Sequence, residues 1–154
     1  KRMAAFSAEY GDWATVVIDS VTFMELAARM AQQFITNKGS REPRQWWAGA
    51  TDDLERMLMM RFASLPMSVV VIAHIDKQQQ DFHGRALQTV SAPGRLSKGL
   101  PAAFGELYYA YPERDAEKRV SFWLQTRSDL QHVAASQIGA PDPCPTMYSA
   151  LWTA

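Results

Sequence analysis

The stretch Thr15-Val16-Val17-Ile18-Asp19-Ser20 decides how the rest of the chain is read. A run of β-branched residues ending abruptly on a carboxylate is how a parallel sheet delivers an acid to the rim where ligands bind, and it is the pattern of a Walker B strand. From Trp13 to Ile18 the apolar run is broken only by Thr15 and is too short for a helix, which predicts a strand covered on both faces with Asp19 at its C-terminal end. No G-x-x-x-x-G-K-[ST] phosphate loop occurs in the 154 residues, although a Walker B acid ordinarily works beside one. A plainer reading stays open: Asp and Ser are both good N-cap residues and suit the start of the next helix equally well.

Downstream, Phe23, Leu26, Ala27, Met30 and Phe34 recur at helical spacing with Glu25, Arg29 and Gln33 between them, which predicts a helix over 21–34 packed on the sheet. Residues 35–45 are polar and basic, carrying Lys38, Arg41 and Arg44, and read as an exposed loop closed by Trp46 and Trp47. Asp52 and Glu55 make a capping-box start for a second helix that Pro66 ends, and 68–73 is a second buried strand ending at His74. Helix followed by apolar strand, twice, argues for an α/β domain with a mainly parallel sheet and flanking helices. Residues 75–94 have no periodicity and read as a long functional loop. A short helical turn over 96–104 precedes strands at 106–111 and 120–125, a hairpin at the sheet edge around the polar turn 112–118.

By size the chain is one domain, large enough for a sizeable core. Lys plus Arg equals Asp plus Glu at sixteen each, so no global field drives it toward nucleic acid and any anion-binding surface is a local patch. The single Cys144 excludes an internal disulfide and fits a reducing cytoplasm. No apolar run approaches the ~20 residues needed to span a bilayer, so no membrane partner is expected. Residues 131 onward are small, polar and proline-containing, with Tyr148, Leu151 and Trp152 as large anchors, and read as an extended tail.

Among the residues able to carry chemistry, Asp19 and Ser20 stand at the end of the first strand and His74 at the end of the second, so all three should share one rim. His74 there reads either as a sensor of a γ-phosphate or as a histidine that merely hydrogen-bonds at a strand end. A zinc site from His74, Asp76 and His83 matches no standard spacing and has no cysteine support. The loop holding Lys77, Phe82, Arg85 and Arg95 has a composition suited to tracking a phosphate backbone and stacking on bases, as does Lys38, Arg41 and Arg44 with the two tryptophans. Either stretch is equally consistent with a solvated surface. Arg119 and Arg127 flank the last strand, at positions from which an arginine finger could reach a neighbouring subunit, or where a surface arginine simply sits.

The ordered set T-V-V-I-D-S, S-V-V-V-I-A-H-I-D-K, P-G-R-L-S-K-G-L-P-A-A-F-G-E-L-Y-Y and W-L-Q-T-R-S-D resembles the phage-encoded RecA-like nucleotide-binding proteins, AAA-type ATPases of tailed phages linked to single-strand annealing and recombination. The resemblance spans 13–129 and implies a RecA-like P-loop NTPase core, cytoplasmic in the host cell. It implies that Asp19 coordinates Mg2+ of a bound ATP beside Ser20, and that His74 responds to the γ-phosphate at the start of a DNA-facing loop. Lys38, Arg41, Arg44, Lys77, Arg85 and Arg95 would then face single-stranded DNA, and Arg127 an adjacent protomer in a ring or filament. The implied organisation is a core at 1–129, the C-terminal part of an ATPase domain, and a tail at 130–154.

Two departures from the family stand out: the phosphate loop, and the basic residues after the final strand, replaced here by His132-Val133-Ala134-Ala135-Ser136. Without backbone N–H groups and a lysine to cradle the β- and γ-phosphates, the chain by itself should not hydrolyse ATP appreciably. A start at Lys1 rather than Met favours the C-terminal part of a longer polypeptide. The alternative is a non-catalytic relative used for oligomerisation or for binding another phage protein.

Overall fold

The computed structural model describes residues 15–80, 86–129 and 131–147, with the backbone alone for 77–80 and 86–87. The fold is mixed α/β. In chain order the elements are β1 (Thr15–Asp19), α1 (Val21–Ala31) with a π-helical turn Gln32–Thr36, α2 (Pro43–Glu55) with a π-helical continuation Arg56–Phe62, and β2 (Ser68–Ile72). There follow β3 (Ile75–Gln80), β4 (Ala86–Val90), α3 (Leu96–Ala102), β5 (Glu106–Leu107), β6 (Tyr109–Arg114), β7 (Val120–Gln125), β8 (Ala135–Ser136) and β9 (Cys144–Pro145). The chain divides into two compact units, one holding 15–74 and 91–96, the other 75–90 and 97 onward.

In the first unit β1 and β2 pair in parallel from Thr15 opposite Ser68 to Asp19 opposite Ile72, with α1 and α2 forming the crossover. The strands are not covered on both faces as expected. Val17 is 58% exposed and Val70 and Ile72 are each 43% exposed, the alternation of a sheet buried on one side only. The apolar stripe of α1 also faces outward, with Phe23, Leu26, Met30 and Phe34 all exposed. What α1 buries instead is its contact with α2. Gln32 is buried there, its Nε2 donating to Asp53 Oδ2 at 2.6 Å while its Oε1 accepts from Asn37 Nδ2 at 2.9 Å. Val21, Ala50, Leu54, Leu58 and Leu96 form the apolar core of this unit.

The helix crossing depends on Gly49, because a Cβ built there would stand 2.6 Å from Gln32 Cδ. That amide is fixed at both ends and cannot swing aside. Gly49→Ala is therefore expected to destabilise the first unit by about 1–3 kcal/mol, the range for overpacking a filled interior, measured as a fall in the urea midpoint.

The second helix does not begin at Asp52. It runs from Pro43, with Pro at the position that tolerates a missing N–H and the Glu42 carboxylate accepting from Arg44 N at 3.3 Å. Trp46 and Trp47 consequently lie inside a helix rather than closing a loop. Asp52 and Glu55 point to Arg95 instead of capping a terminus.

In the second unit every pairing between named strands is antiparallel among the described residues, so the mainly parallel sheet expected from sequence is confined to β1–β2. The reason is connection length. Parallel neighbours need a crossover, which the two long helices supply once, whereas β6 and β7 are joined by a short turn and β8 and β9 come from the docked segment after β7. Residues 75–80 and 86–90, expected to be loop, pair antiparallel as β3–β4 with a register shift between Asp76 and Gln79. The expected C-terminal hairpin is present as β6–β7, turning through Asp115–Arg119, and β6 is an edge strand, where Pro112 is tolerated.

Residues 131–147 dock on their own chain. Ala135–Ser136 pairs with β5 and Cys144–Pro145 with β7, and the buried Thr126 hydroxyl donates to Pro141 O at 2.9 Å. Tyr148, Leu151 and Trp152 lie outside the described residues, as does Trp13.

The Glu106 carboxylate pins the start of this docked segment. It accepts from Gln137 N at 2.8 Å, Ile138 N at 3.0 Å and the Tyr108 hydroxyl. Burial alone would raise the pKa of Glu106, but the donors from Tyr108, Ser136, Ile138 and Gln137 outweigh it and hold the acid below its usual range. Burial and the same contact push the Tyr108 hydroxyl up to about 12. A depressed folded-state pKa gives stability that is present above the unfolded value of 4.5 and lost as pH falls through the folded value. Unfolding of the second unit should thus become easier on acidification below about 4.5. Glu106→Gln should lower stability at neutral pH and flatten that part of the pH profile, read by circular dichroism during denaturant titration.

Candidate functional site

The C-terminal rim of the β1–β2 pair gathers the residues at issue in the first unit. The parallel register sets Asp19 opposite Ile72, so Asp19 and His74 leave the sheet at one end, and both are exposed. Helix α1 starts at once behind Asp19. Ser20 takes the N-cap position, with its carbonyl accepting from Phe23 N at 3.2 Å and Met24 N at 3.1 Å. Neither side chain performs the capping that the plainer reading required. Ser20 Oγ makes no cap bond and is buried without a partner, and Asp19 makes no side-chain hydrogen bond among the described residues. A carboxylate left uncommitted at a strand end is available to a ligand.

His74 is held by residues outside the strand-end motifs. Its ring meets Phe23 edge-on, with centroids 6.0 Å apart at 80°. Its carbonyl accepts from Ser91 N at 2.8 Å, and Ser91 O accepts from Thr22 Oγ1 at 3.3 Å. The chain entering the β3–β4 hairpin, the chain leaving it and the first turn of α1 are therefore tied together. No sequence signal marked this, because the contact joins positions 69 apart.

The chain matches no protein-family model, no curated protein and no solved structure. The chemistry of the rim has to be judged from its own donor set. Among the described residues no three His, Cys, Asp or Glu side chains converge on a point, which does not suit an all-protein zinc or calcium cage. Asp19 is the carboxylate this rim exposes, and the unpartnered Ser20 hydroxyl is its neighbour in the chain.

The remaining expected site residues are dispersed. Lys38, Arg41 and Arg44 are exposed around the start of α2, and none forms an ion pair among the described residues. Arg95 is different: its guanidinium grips both oxygens of Glu55 and lies 2.6 Å from Asp52 Oδ1. Two carboxylates neutralise it, so it braces the bend before α3 against α2 rather than offering free charge. Lys77 is described only in its backbone, on β3, and Arg85 and His83 lie outside the described residues. Arg127 is exposed after β7 in the second unit and has no ion pair among the described residues, while Arg119 is tied to Asp115 at 2.7 Å within the hairpin turn.

The second unit carries one further titratable cluster. The His132 ring stacks on Tyr109 at 3.9 Å, and its Nδ1 lies 3.0 Å from Asp129 Oδ2. The His132 side chain, with the His132 and Gln131 backbone N–H groups, holds Asp129 well below its ordinary value. Gln131 O also accepts from Gln88 N at 2.7 Å, so the cluster fastens β4 to the segment after β7. Its bonds are all internal, as expected of a structural clasp. No helix among the described residues is long and apolar enough to cross a membrane.

Proposed function

We propose that the β1–β2 rim is the magnesium side of a nucleotide site in a RecA-like ATPase core belonging to a phage DNA recombination or single-strand annealing protein. The observation that carries the reading is the shared rim: an uncommitted, exposed Asp19 at the end of one strand and an exposed His74 just past the end of its parallel neighbour, the latter held to α1 through Phe23, Thr22 and Ser91. Asp19 would hold the cation, which neutralises charge on the transferring phosphoryl group. His74 would report the γ-phosphate to the hairpin that begins one residue later. The phosphate loop would come from residues other than these. Lys38, Arg41 and Arg44 would contact single-stranded DNA, and Arg127 would act across a protomer boundary in a ring or filament.

A second reading has its own observation. The exposed stripe Phe23, Leu26, Met30 and Phe34 on α1 is a surface that a non-catalytic module would use for assembly. The two readings separate on one fact. The coding sequence upstream of Lys1 should encode a glycine-rich loop ending in Lys-Ser or Lys-Thr; without one, the ATPase reading fails and the assembly reading stands.

A further inference from the structure

We infer that the groove between α2 and the Pro93–Arg95 bend takes a base of single-stranded nucleic acid, stacked on the indole of Trp47. This rests on the proposal that the basic segment at the start of α2 faces single strands, and it names the residue that grips a base. The groove lies wholly within the first unit, has a volume of about 350 Å³ and is lined by Trp47, Ala48, Thr51, Asp52, Pro93 and Arg95 among others. That is near the bottom of the ~300–1,000 Å³ range of small-molecule pockets, room for one heterocycle.

Trp47 is 42% exposed although it is a large aromatic on a helix. The Arg29 guanidinium lies over its ring at 4.6 Å from the centroid, which fixes the indole and leaves the ring with a cation behind it. A base presented to such a ring gains stacking that does not depend on its identity, because every base has a π-face.

The charges around the groove are sorted to suit a polyanion. Arg44 precedes Trp47 by one helical turn and so shares its face, with Lys38 and Arg41 just before the helix; none of the three is paired among the described residues. At the opposite end Arg95 pairs with both Asp52 and Glu55 but offsets only one of their two negative charges, so phosphates are confined to the basic end. A strand could thus lay phosphates along the basic end while one base enters the groove.

The test uses the 154-residue chain without ATP or magnesium, titrated against a fluorescently labelled oligo-dT and against the same sugar-phosphate strand lacking its bases. Trp47→Ala is expected to weaken oligo-dT binding about tenfold with an unchanged salt slope, and to leave the abasic strand unaffected. Arg44→Gln should weaken both strands alike and reduce the salt slope by about one contact. Trp47→Phe, which keeps a ring, should retain most of the affinity and shows that the site tolerates substitution. Equal binding of oligo-dT and the abasic strand by the unaltered chain, or oligo-dT binding undiminished in Trp47→Ala, would overturn the inference. Since no nucleotide is present, failure of the ATPase proposal leaves this measurement intact, and its failure leaves Asp19 untouched.

Discussion

If the β1–β2 rim is the magnesium side of an ATP site as proposed, Asp19→Asn in a longer protein carrying the phosphate loop is expected to lower ATP turnover by at least about a hundredfold, the cost typical of removing one preorganised electrostatic partner of a transition state. The substitution should leave the fold intact. Asp19 is exposed and makes no side-chain hydrogen bond among the described residues, so an isosteric amide removes only the charge offered at the rim. A carboxylate that capped α1 would behave otherwise: turnover would persist and the helix would loosen. Steady-state turnover measured beside circular dichroism separates the two outcomes.

Leu54→Ala should have the largest effect on stability, about 2–5 kcal/mol, because it deletes a buried side chain where α2 meets its neighbours. Leu54 is fully buried, and its companions Val21, Ala50, Leu58 and Leu96 form a small set. With so few buried apolar side chains in this unit, the vacated space has little to collapse into. The loss is read as a lower urea midpoint. An effect below about 1 kcal/mol would mean that this core contributes less than its burial implies.

The sequence made the first unit readable in outline because its signals are local. A β-branched run ending on Asp19, a helical period after it and a second apolar run ending near His74 each depend on neighbours a few residues away, and β1, α1 and β2 formed where expected. The start of α2 was masked by composition. Lys38 to Arg44 is polar enough to read as loop, and the telling feature was Glu42-Pro43, a cap followed by a first-turn proline.

Residues 75–80 and 86–90 carry no apolar alternation, so the β3–β4 pairing comes from backbone contacts that side-chain pattern does not report. Arg95 looked like a free cation until Asp52 and Glu55, 43 and 40 positions away, were seen to hold it. The segment after 130 pairs through two-residue strands and the single carboxylate of Glu106, contacts too short to leave a period. That Asp19 and His74 leave the strand pair at the same end was legible, whereas the Phe23, Thr22 and Ser91 contacts of His74 were not.

The nucleotide-rim proposal is most directly tested by replacing magnesium with paramagnetic manganese in the phosphate-loop-bearing protein and recording the histidine and amide resonances with ATP bound. The imidazole of His74 and the amides of Ser20 and Thr22 should broaden, and Asp19→Asn should restore them. Sharp His74 and Ser20 signals in the unaltered protein, or broadening that Asp19→Asn leaves in place, would mean that the cation is held elsewhere and that the β1–β2 rim is not its site.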